Sequence, residues 1–229
     1  FLEHFPNARL IEIDNSLGML RESRRKLGAW RRLLGSGPNR VGGDATRLPL
    51  RDGSVDWVFA NLVLPWCPLD AALAQIKRVI KPGGMLAFTG FGPDTLVELR
   101  QAWQGVDRFQ HVHAFADMHD LGDALVRAGF AEPVLDVERF TLTYRTFDAL
   151  LRELKASGSR NAWPDRSRGL TTRAAVDRVS AAYECHRQDG LLPATFEVVY
   201  GQAWQSTRAP KSGQPGETRI PVDSIKRRS

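Results

Sequence analysis

The stretch RLIEIDNSLGML, residues 9–20, sets the class of fold. Its apolar run at residues 10–13 is typical of a buried strand, and the run ends at Asp14. Ser16 follows as a suitable N-cap for a helix. A carboxylate at the carboxyl end of a strand in an open α/β sheet lies where such folds bind ligands, and it can accept two hydrogen bonds from a ribose diol. A solvated turn residue is the alternative interpretation of Asp14.

The alternation of strand and helix continues through residue 91. VDWVFANLVL (55–64) and MLAFTGFG (85–92) are continuous apolar runs between turn residues, which is typical of strands buried on both faces. LDAALAQIKRVI (69–80) has apolar residues at helical spacing and is followed by KPGG, a helix-ending sequence. Because strands and helices alternate in this order, we predict an α/β fold with a doubly wound, mostly parallel sheet.

Further along the chain the pattern adds helices and two more strands. Apolar residues at helical spacing predict helices at 94–103, 117–130, 147–159 and 171–190, and the stretch 132–144 is strand-like. ATFEVVYGQAW (194–204) alternates as expected of a strand that closes the sheet at its edge. We therefore predict four segments: a core at residues 1–145, a helical cap at 146–192, a closing edge strand at 193–204 and a basic, disordered tail at 205–229.

The composition is that of an ordinary globular protein. Hydrophobic residues make up 42% of the 229 positions and charged residues 25%. No apolar run approaches the length of a membrane span, and the first residues show no basic-then-apolar signal pattern. Cys67 and Cys185 lie far apart in sequence, which is typical of free thiols in a reducing compartment. We therefore predict a cytoplasmic protein that does not associate with a membrane.

The net charge of +6 raises the question of nucleic-acid binding. The tail from residue 205 holds six basic and two acidic residues, so it carries +4 of that charge. The rest of the chain is close to neutral, which argues against a nucleic-acid partner. Arg21, Arg24 and Arg25 make the helix after Asp14 strongly cationic. A solvated helix face is the simpler interpretation of these arginines, and a docking patch is the alternative.

Polar residues follow three successive predicted strands. Asp14 ends the first, Asp44 follows the second and Asn61 ends the third. Because the carboxyl ends of parallel strands share one edge of a sheet, these side chains can converge on one nucleoside ligand. Asp14 would accept from the ribose hydroxyls and Asp44 from the adenine amino group. The full set of candidate cofactor contacts is Asp14, Asn15, Met19, Asp44, Ala45, Asn61 and Leu62.

Three of these stretches resemble the class I S-adenosylmethionine-dependent methyltransferases. They are IEIDNSLGML (11–20), GDATRLPLRDGSVDWVFANLVLPW (43–66) and IKRVIKPGGMLAFTGF (76–91). The resemblance implies a Rossmann-like core with S-adenosylmethionine as the methyl donor and no metal. It also implies that Asn61 lies near the methionine part of the cofactor. The family's first strand and glycine-rich loop would precede Phe1, so we expect this chain to lack both and to bind the cofactor weakly.

The rest of the chain has a narrower resemblance. FGPDTLVELRQAW (91–103), DMHDLGDALVRAGFAEPVLDVE (117–138) and LPATFEVVYGQAW (192–204) are similar to the malonyl-acyl-carrier-protein O-methyltransferases of biotin synthesis. This resemblance implies methyl transfer to the free carboxylate of a malonyl thioester, with acyl carrier protein as the partner. It places the helices of Arg100, Arg152 and Lys155 over the carboxyl end of the sheet, so these cations are candidates for holding the acyl group.

Two alternatives remain at this point: a complex I assembly factor of the same superfamily, and a non-catalytic binding protein that keeps the fold. His111, His113 and His119 fit no common zinc spacing, so we predict loop histidines and no metal site. Trp66 and Trp103 are candidates for the wall of an acyl channel, with ordinary core packing as the alternative.

Overall fold

The computed structural model describes residues 7–26, 37–158 and 171–206. The second half of the predicted basic helix, the middle of the predicted cap and nearly all of the predicted tail lie outside the described residues. Within the described ranges the strands are β1 (Ile11–Asp14), β2 (Asn39–Gly42), β3 (Val55–Asn61), β4 (Ile80–Phe91), β5 (Phe130–Tyr144) and β6 (Leu192–Gln205). The α-helices are α1 (Leu17–Lys26), α2 (Leu69–Val79), α3 (Val97–Gln104), α4 (Met118–Arg127), α5 (Phe147–Ala156) and α6 (Arg173–Tyr183). Short 3-10 turns occur at Leu64–Trp66 and Glu184–His186.

The described strands form two sheets. In the first, β1 and β2 pair in parallel, with Ile11 opposite Asn39 and Asp14 opposite Gly42. The second has the order β3-β4-β6-β5, in which β3 and β4 are parallel. Strands β1 and β2, and likewise β3 and β4, have a helix between them and pair in parallel, as predicted. Strand β6 is antiparallel to both of its neighbours.

The prediction that residues 193–204 form a closing edge strand is wrong. Strand β6 lies between β4 and β5 and pairs with each, so β5 occupies the edge. Val199 and Ala203 of β6 are completely buried, as suits an interior strand. The alternating sequence indicates which side chains face inward. It carries no information on whether one or both backbone edges are paired, because those partners come from distant parts of the chain.

Strands β1 and β3 each have an edge that no other described strand covers. In the described residues β1 pairs only with β2, and β3 pairs only with β4. Phe59 of β3 keeps 55% of its surface exposed, an unusual value for an aromatic residue in a parallel strand. The backbone N–H and C=O groups on these edges are therefore available to a further strand or to water.

Two apolar cores hold the described elements together. The first lies between the larger sheet and helices α2 and α4, where Leu73, Leu86, Leu125 and Val199 are almost entirely buried. The second lies among α3, α5, α6 and the start of β6; its fully buried members are Leu150, Val179, Tyr183, Leu192 and Ala194. Helices α5 and α6, which belong to the predicted cap, thus share a core with α3.

Candidate functional site

One end of the larger sheet gathers the loops that carry the candidate site. Parallel strands β3 and β4 both end there, and antiparallel β6 begins there. Strand β5 runs against β6 and so also ends there, at Tyr144. Helix α5 starts directly afterwards, with Thr146 as its N-cap accepting the Ala149 N–H at 3.2 Å. We call this end the carboxyl rim; it is where open α/β sheets bind ligands.

Asp14 lies at the end of β1, as predicted. Its Oδ1 accepts the Ser16 N–H at 2.7 Å, and Ser16 Oγ accepts the Met19 N–H at 3.4 Å, which is the predicted N-cap contact of α1. The Gly43 N–H donates to the Asp14 carbonyl at 3.1 Å, so the ends of β1 and β2 lie side by side. The second oxygen of Asp14 makes no hydrogen bond to another described residue, and it is available to a ligand.

Asp44 begins the turn after β2. Its Oδ1 accepts the Thr46 N–H at 2.7 Å and the Thr46 hydroxyl at 2.8 Å. These two hydrogen bonds lower the pKa of Asp44, because both stabilise the ionised carboxylate. Gly43 is required beside it, since a Cβ there would lie 2.9 Å from Cδ of Pro49. Asp44 is therefore a fixed anion with one uncommitted oxygen.

A single arginine holds the loop that follows Asp44. Arg78 at the end of α2 donates to the carbonyls of Leu48 and Leu50 at 2.9 and 2.8 Å. It also forms an ion pair with Asp52 at 2.6 Å. Because α2 packs on the larger sheet, this arginine ties the loop of the smaller sheet to the larger one.

Asn61 and Leu62 form a strained turn at the end of β3. Leu62 has a φ of +52°, a left-handed conformation that is costly for a branched residue. Its N–H donates to the Thr89 carbonyl at 3.1 Å and to Thr89 Oγ1 at 3.0 Å. The Thr89 hydroxyl in turn donates to Asn61 Oδ1 at 2.7 Å. The Asn61 amide N–H groups remain as donors toward the carboxyl rim.

Cys67 directly follows the 3-10 turn Leu64–Trp66 after β3. Burial raises the pKa of Cys67, and the negative charge of Asp44 raises it further. Cys67 remains a neutral thiol at neutral pH, which does not suit a nucleophile.

Aromatic side chains line the carboxyl rim beyond Asn61. The Trp66 ring lies 5.3 Å from the His113 ring and 6.2 Å from the Phe115 ring, and Phe91 lies 5.3 Å from Phe115. Trp66 keeps 41% of its surface exposed. The sequence indicated Trp66 as a wall residue and His113 as a loop histidine. It did not indicate Phe91 or Phe115, because no local pattern places the segment 111–115 beside β4.

Trp103, the other predicted wall residue, makes a different contact. It stacks on His111 with ring centroids 3.4 Å apart and planes 8° apart. His111 Nε2 also lies 2.8 Å from Asp107. The three histidines therefore do not form a cluster: His113 contacts Trp66, and His119 is exposed on α4. No group of three potential metal ligands occurs within residues 7–26, 37–158 and 171–206.

The three cations predicted to hold the substrate have different surroundings. Arg100 of α3 donates to the carbonyls of Pro93 and Thr95 at 2.8 and 3.2 Å, so its guanidinium is engaged with the loop after β4. Arg152 and Lys155 are exposed on α5, the helix that starts at the carboxyl rim. Of the three cations, only Arg152 and Lys155 are exposed and make no hydrogen bond to the backbone of the described residues.

A cleft of about 430 Å³ lies beside the loop after β4. It is lined by Pro93, Asp117, Met118, Val137, Arg139 and Glu197. Arg139 bridges to Asp94 at 2.5 Å and lies 3.9 Å from the carboxylate of Glu197. Sequence reasoning missed this cluster. The glutamate in the otherwise apolar alternation of β6 was the available signal, since a buried carboxylate needs a specific reason.

Comparison with known proteins now places the chain in a family. A family model described as "Methyltransferase domain" matches residues 1–88. A protein named malonyl-[acyl-carrier protein] O-methyltransferase from Laribacter hongkongensis is 51% identical over 211 residues, which cover 90% of this chain and 71% of that protein. The chain belongs to this methyltransferase family. A relative of the same name from Halorhodospira halophila is 43% identical and is matched over 99% of this chain and 77% of its own length.

Similarity to solved structures confirms the predicted fold class. A putative methyltransferase from Bacillus halodurans superposes with a TM-score of 0.58 at 16% identity, covering 87% of this chain and 84% of the other. The YcgJ protein from Bacillus subtilis gives a TM-score of 0.55 at 14% identity, with coverages of 86% of this chain and 82% of the other.

Across the part of the chain that the structure describes, no helix is long and apolar enough to cross a bilayer.

The residues present suit the nucleoside end of the methyltransferase cofactor. Asp14 and Asp44 each present one carboxylate oxygen that no described residue binds, at adjacent strand ends. Met19 lies in the first turn of α1, the helix that follows Asp14, and 59% of its surface is exposed. Its side chain provides an apolar surface for a purine. Neighbouring acceptors with an apolar flank are the chemistry that a ribose diol and an adenine amino group require.

Proposed function

We propose that the chain transfers a methyl group from S-adenosylmethionine to the free carboxylate of a malonyl thioester on acyl carrier protein, an early step of biotin synthesis. The observation that carries this proposal is the 51% identity over 90% of the chain to a protein named for that activity. The relatives do not favour the complex I assembly alternative. Free Cys67 and Cys185 are in keeping with a reducing cytoplasm as the place of the reaction.

In this proposal the first sheet binds the nucleoside. Asp14 accepts from the ribose hydroxyls, Asp44 accepts from the adenine amino group, and Met19 and Ala45 flank the ring. Asn15 and Leu62 complete the contacts, and Asn61 donates toward the methionine part. When bound, S-adenosylmethionine supplies an electrophilic methyl group on a sulfonium.

The acceptor needs alignment more than acid–base catalysis. A malonyl carboxylate is ionised at neutral pH, so no general base is required. The chain must instead orient a weak nucleophile and exclude water, an effect worth up to roughly 7–11 kcal/mol in favourable cases. Arg152 and Lys155 are positioned on α5 to hold the acyl group's charge, and the aromatic side chains of Trp66 and Phe91 exclude water.

Docking of the carrier would use basic surfaces. Arg21, Arg24 and Arg25 are on α1, and Arg24 and Arg25 are exposed in its last turn. An acidic carrier would be steered toward such a surface, and this attraction weakens as salt screens it.

The proposed function is tested with the purified full-length protein, including any residues that precede Phe1, and three acceptors. Malonyl carrier protein should gain one methyl group by mass spectrometry, with a higher kcat/KM than malonyl on a small thioester, and the advantage should shrink as salt rises. Acetyl carrier protein is the matched control because it lacks the free carboxylate, and it should gain none. If neither malonyl substrate is methylated while S-adenosylmethionine binds, the proposed reaction is wrong. Equal reactivity of both malonyl substrates at every salt concentration would exclude carrier recognition.

A further inference from the structure

The loop after β4, residues 92–96, is fixed from several directions. Thr95 is 1% exposed, and its hydroxyl donates to the Glu197 carbonyl and accepts the Glu197 N–H, both at 3.1 Å. The Leu96 N–H donates to the Thr195 carbonyl at 2.6 Å. Leu96 has a φ of +55°, so this loop stores backbone strain that the surrounding contacts must offset.

The side chain of Glu197 makes a further contact with this loop. Glu197 is 7% exposed, and its Oε2 accepts the Asp94 N–H at 2.7 Å. A Cβ at Gly92 would lie only 2.6 Å from Cδ of Glu197. The carboxylate therefore fills the space that the glycine leaves, and it determines how closely the loop approaches β6.

Two arginines complete the arrangement. Arg139 donates to Asp94 and lies 3.9 Å from Glu197, so it partly compensates both carboxylates. Arg100 donates to the carbonyls of Pro93 and Thr95. Burying a carboxylate is costly without such partners, so this cluster has a structural cost that an apolar residue at 197 would avoid.

We propose that Glu197 is a positioning residue for the methyl acceptor, acting through the loop 92–96; this rests on the proposed function. The loop leaves the carboxyl end of β4, where open sheets bind ligands. The candidate cofactor contacts come from β1, β2, β3 and the turns that follow these strands. The loop after β4 lies beyond them at the carboxyl rim, so we assign it to the binding of the methyl acceptor. A misplacement of about 1 Å by a residue remote from the chemistry can reduce the rate about a hundredfold, which is the scale on which such a residue acts.

The test separates acceptor kinetics from cofactor affinity. Glu197→Ala should lower kcat/KM for malonyl carrier protein by about ten- to a hundredfold, and the Kd for S-adenosylmethionine should stay within about twofold. Glu197→Gln should recover most of the loss, because its amide oxygen can still accept the Asp94 N–H. Glu138→Gln, which removes the same charge from an exposed neighbour on β5, should behave as the wild type.

Gly92→Ala provides an independent measurement. The added methyl should impair acceptor kinetics in the wild-type background and cost much less in Glu197→Ala, where the conflicting carboxylate is gone. Strictly additive effects would overturn the proposal, as would a Glu197→Ala variant that loses cofactor affinity, melting temperature and kcat/KM together. Unchanged kinetics in Glu197→Ala would also overturn it. An inactive full-length wild type that still binds S-adenosylmethionine would instead reject the proposed function, so the two failures are distinguishable.

Discussion

The Asp94 N–H and the Glu197 carboxylate lie 2.7 Å apart although 103 positions separate them in the chain. This hydrogen bond joins the loop that leaves β4 to an interior strand that runs the opposite way. The loop at the carboxyl rim is therefore braced by the sheet itself. In the same region Arg100, a cation of the kind that suggests substrate binding, is engaged with backbone carbonyls of this loop.

Replacing Asp14 should weaken cofactor binding. Asp14→Ala removes the uncommitted carboxylate oxygen that we propose accepts from the ribose, together with the one that accepts the Ser16 N–H. We expect a loss of roughly 1–3 kcal/mol in binding free energy. Asp14→Asn keeps an oxygen for the Ser16 N–H and should still bind S-adenosylmethionine more weakly than the wild type. Calorimetry with Glu22→Ala, a partly exposed acidic residue on α1 that pairs with Arg25, provides the control. Unchanged affinity in both Asp14 variants would remove this residue from the site.

The ionisation of Asp44 should depend on Thr46. The backbone and side-chain hydrogen bonds from Thr46 lower the pKa of Asp44, so the stabilising contribution of its charge is present above its ordinary value of 3.8 and is lost as pH falls through the lower folded value. Thr46→Val removes the hydroxyl and should raise the pKa toward the ordinary value. NMR titration of the Asp44 side-chain carboxyl carbon measures this pKa. Identical titration curves in the wild type and in Thr46→Val would contradict the role given to the Thr46 hydroxyl.

Protonation of His113 should oppose folding. Burial lowers the pKa of His113 from 6.5, so the unfolded chain takes up the proton before the folded protein does. The free energy of unfolding should therefore fall as pH drops below 6.5 toward the lower folded value. His113→Phe should flatten this dependence in thermal melts between about pH 7 and 5, whereas His119→Asn, at an exposed site, should leave it unchanged. A slope in His113→Phe equal to that of the wild type would contradict the prediction.

The open edge of β3 should be visible in hydrogen exchange. Only one edge of Val55–Asn61 is paired among the described residues, while β4 is paired on both sides by β3 and β6. Backbone amides on the open edge exchange more readily because no ladder protects them. In this 229-residue chain, peptides from β3 should take up deuterium faster than peptides from β4. Equal protection of the two strands would show that another segment covers the edge.

Short-range patterns predicted much of the fold. Strands β3 and β4, the helix between them and the Ser16 N-cap follow from apolar spacing and capping chemistry, which act within a few residues. The prediction that β3 is buried on both faces is wrong, because only Ala60 of that strand is buried. Asp14 and Asn61 lie at the strand ends as predicted. At Asn61 the apolar run continues through Leu64, so the polar residue itself was the signal there.

Only the tertiary structure decided the rest. The interior place of β6, the engagement of Arg100 with the loop after β4 and the burial of Glu197 beside Gly92 depend on partners brought together by folding. A local pattern reports which face of an element is apolar. It cannot report which distant backbone edge or charge will meet that element, because such contacts are selected by the packing of the whole sheet.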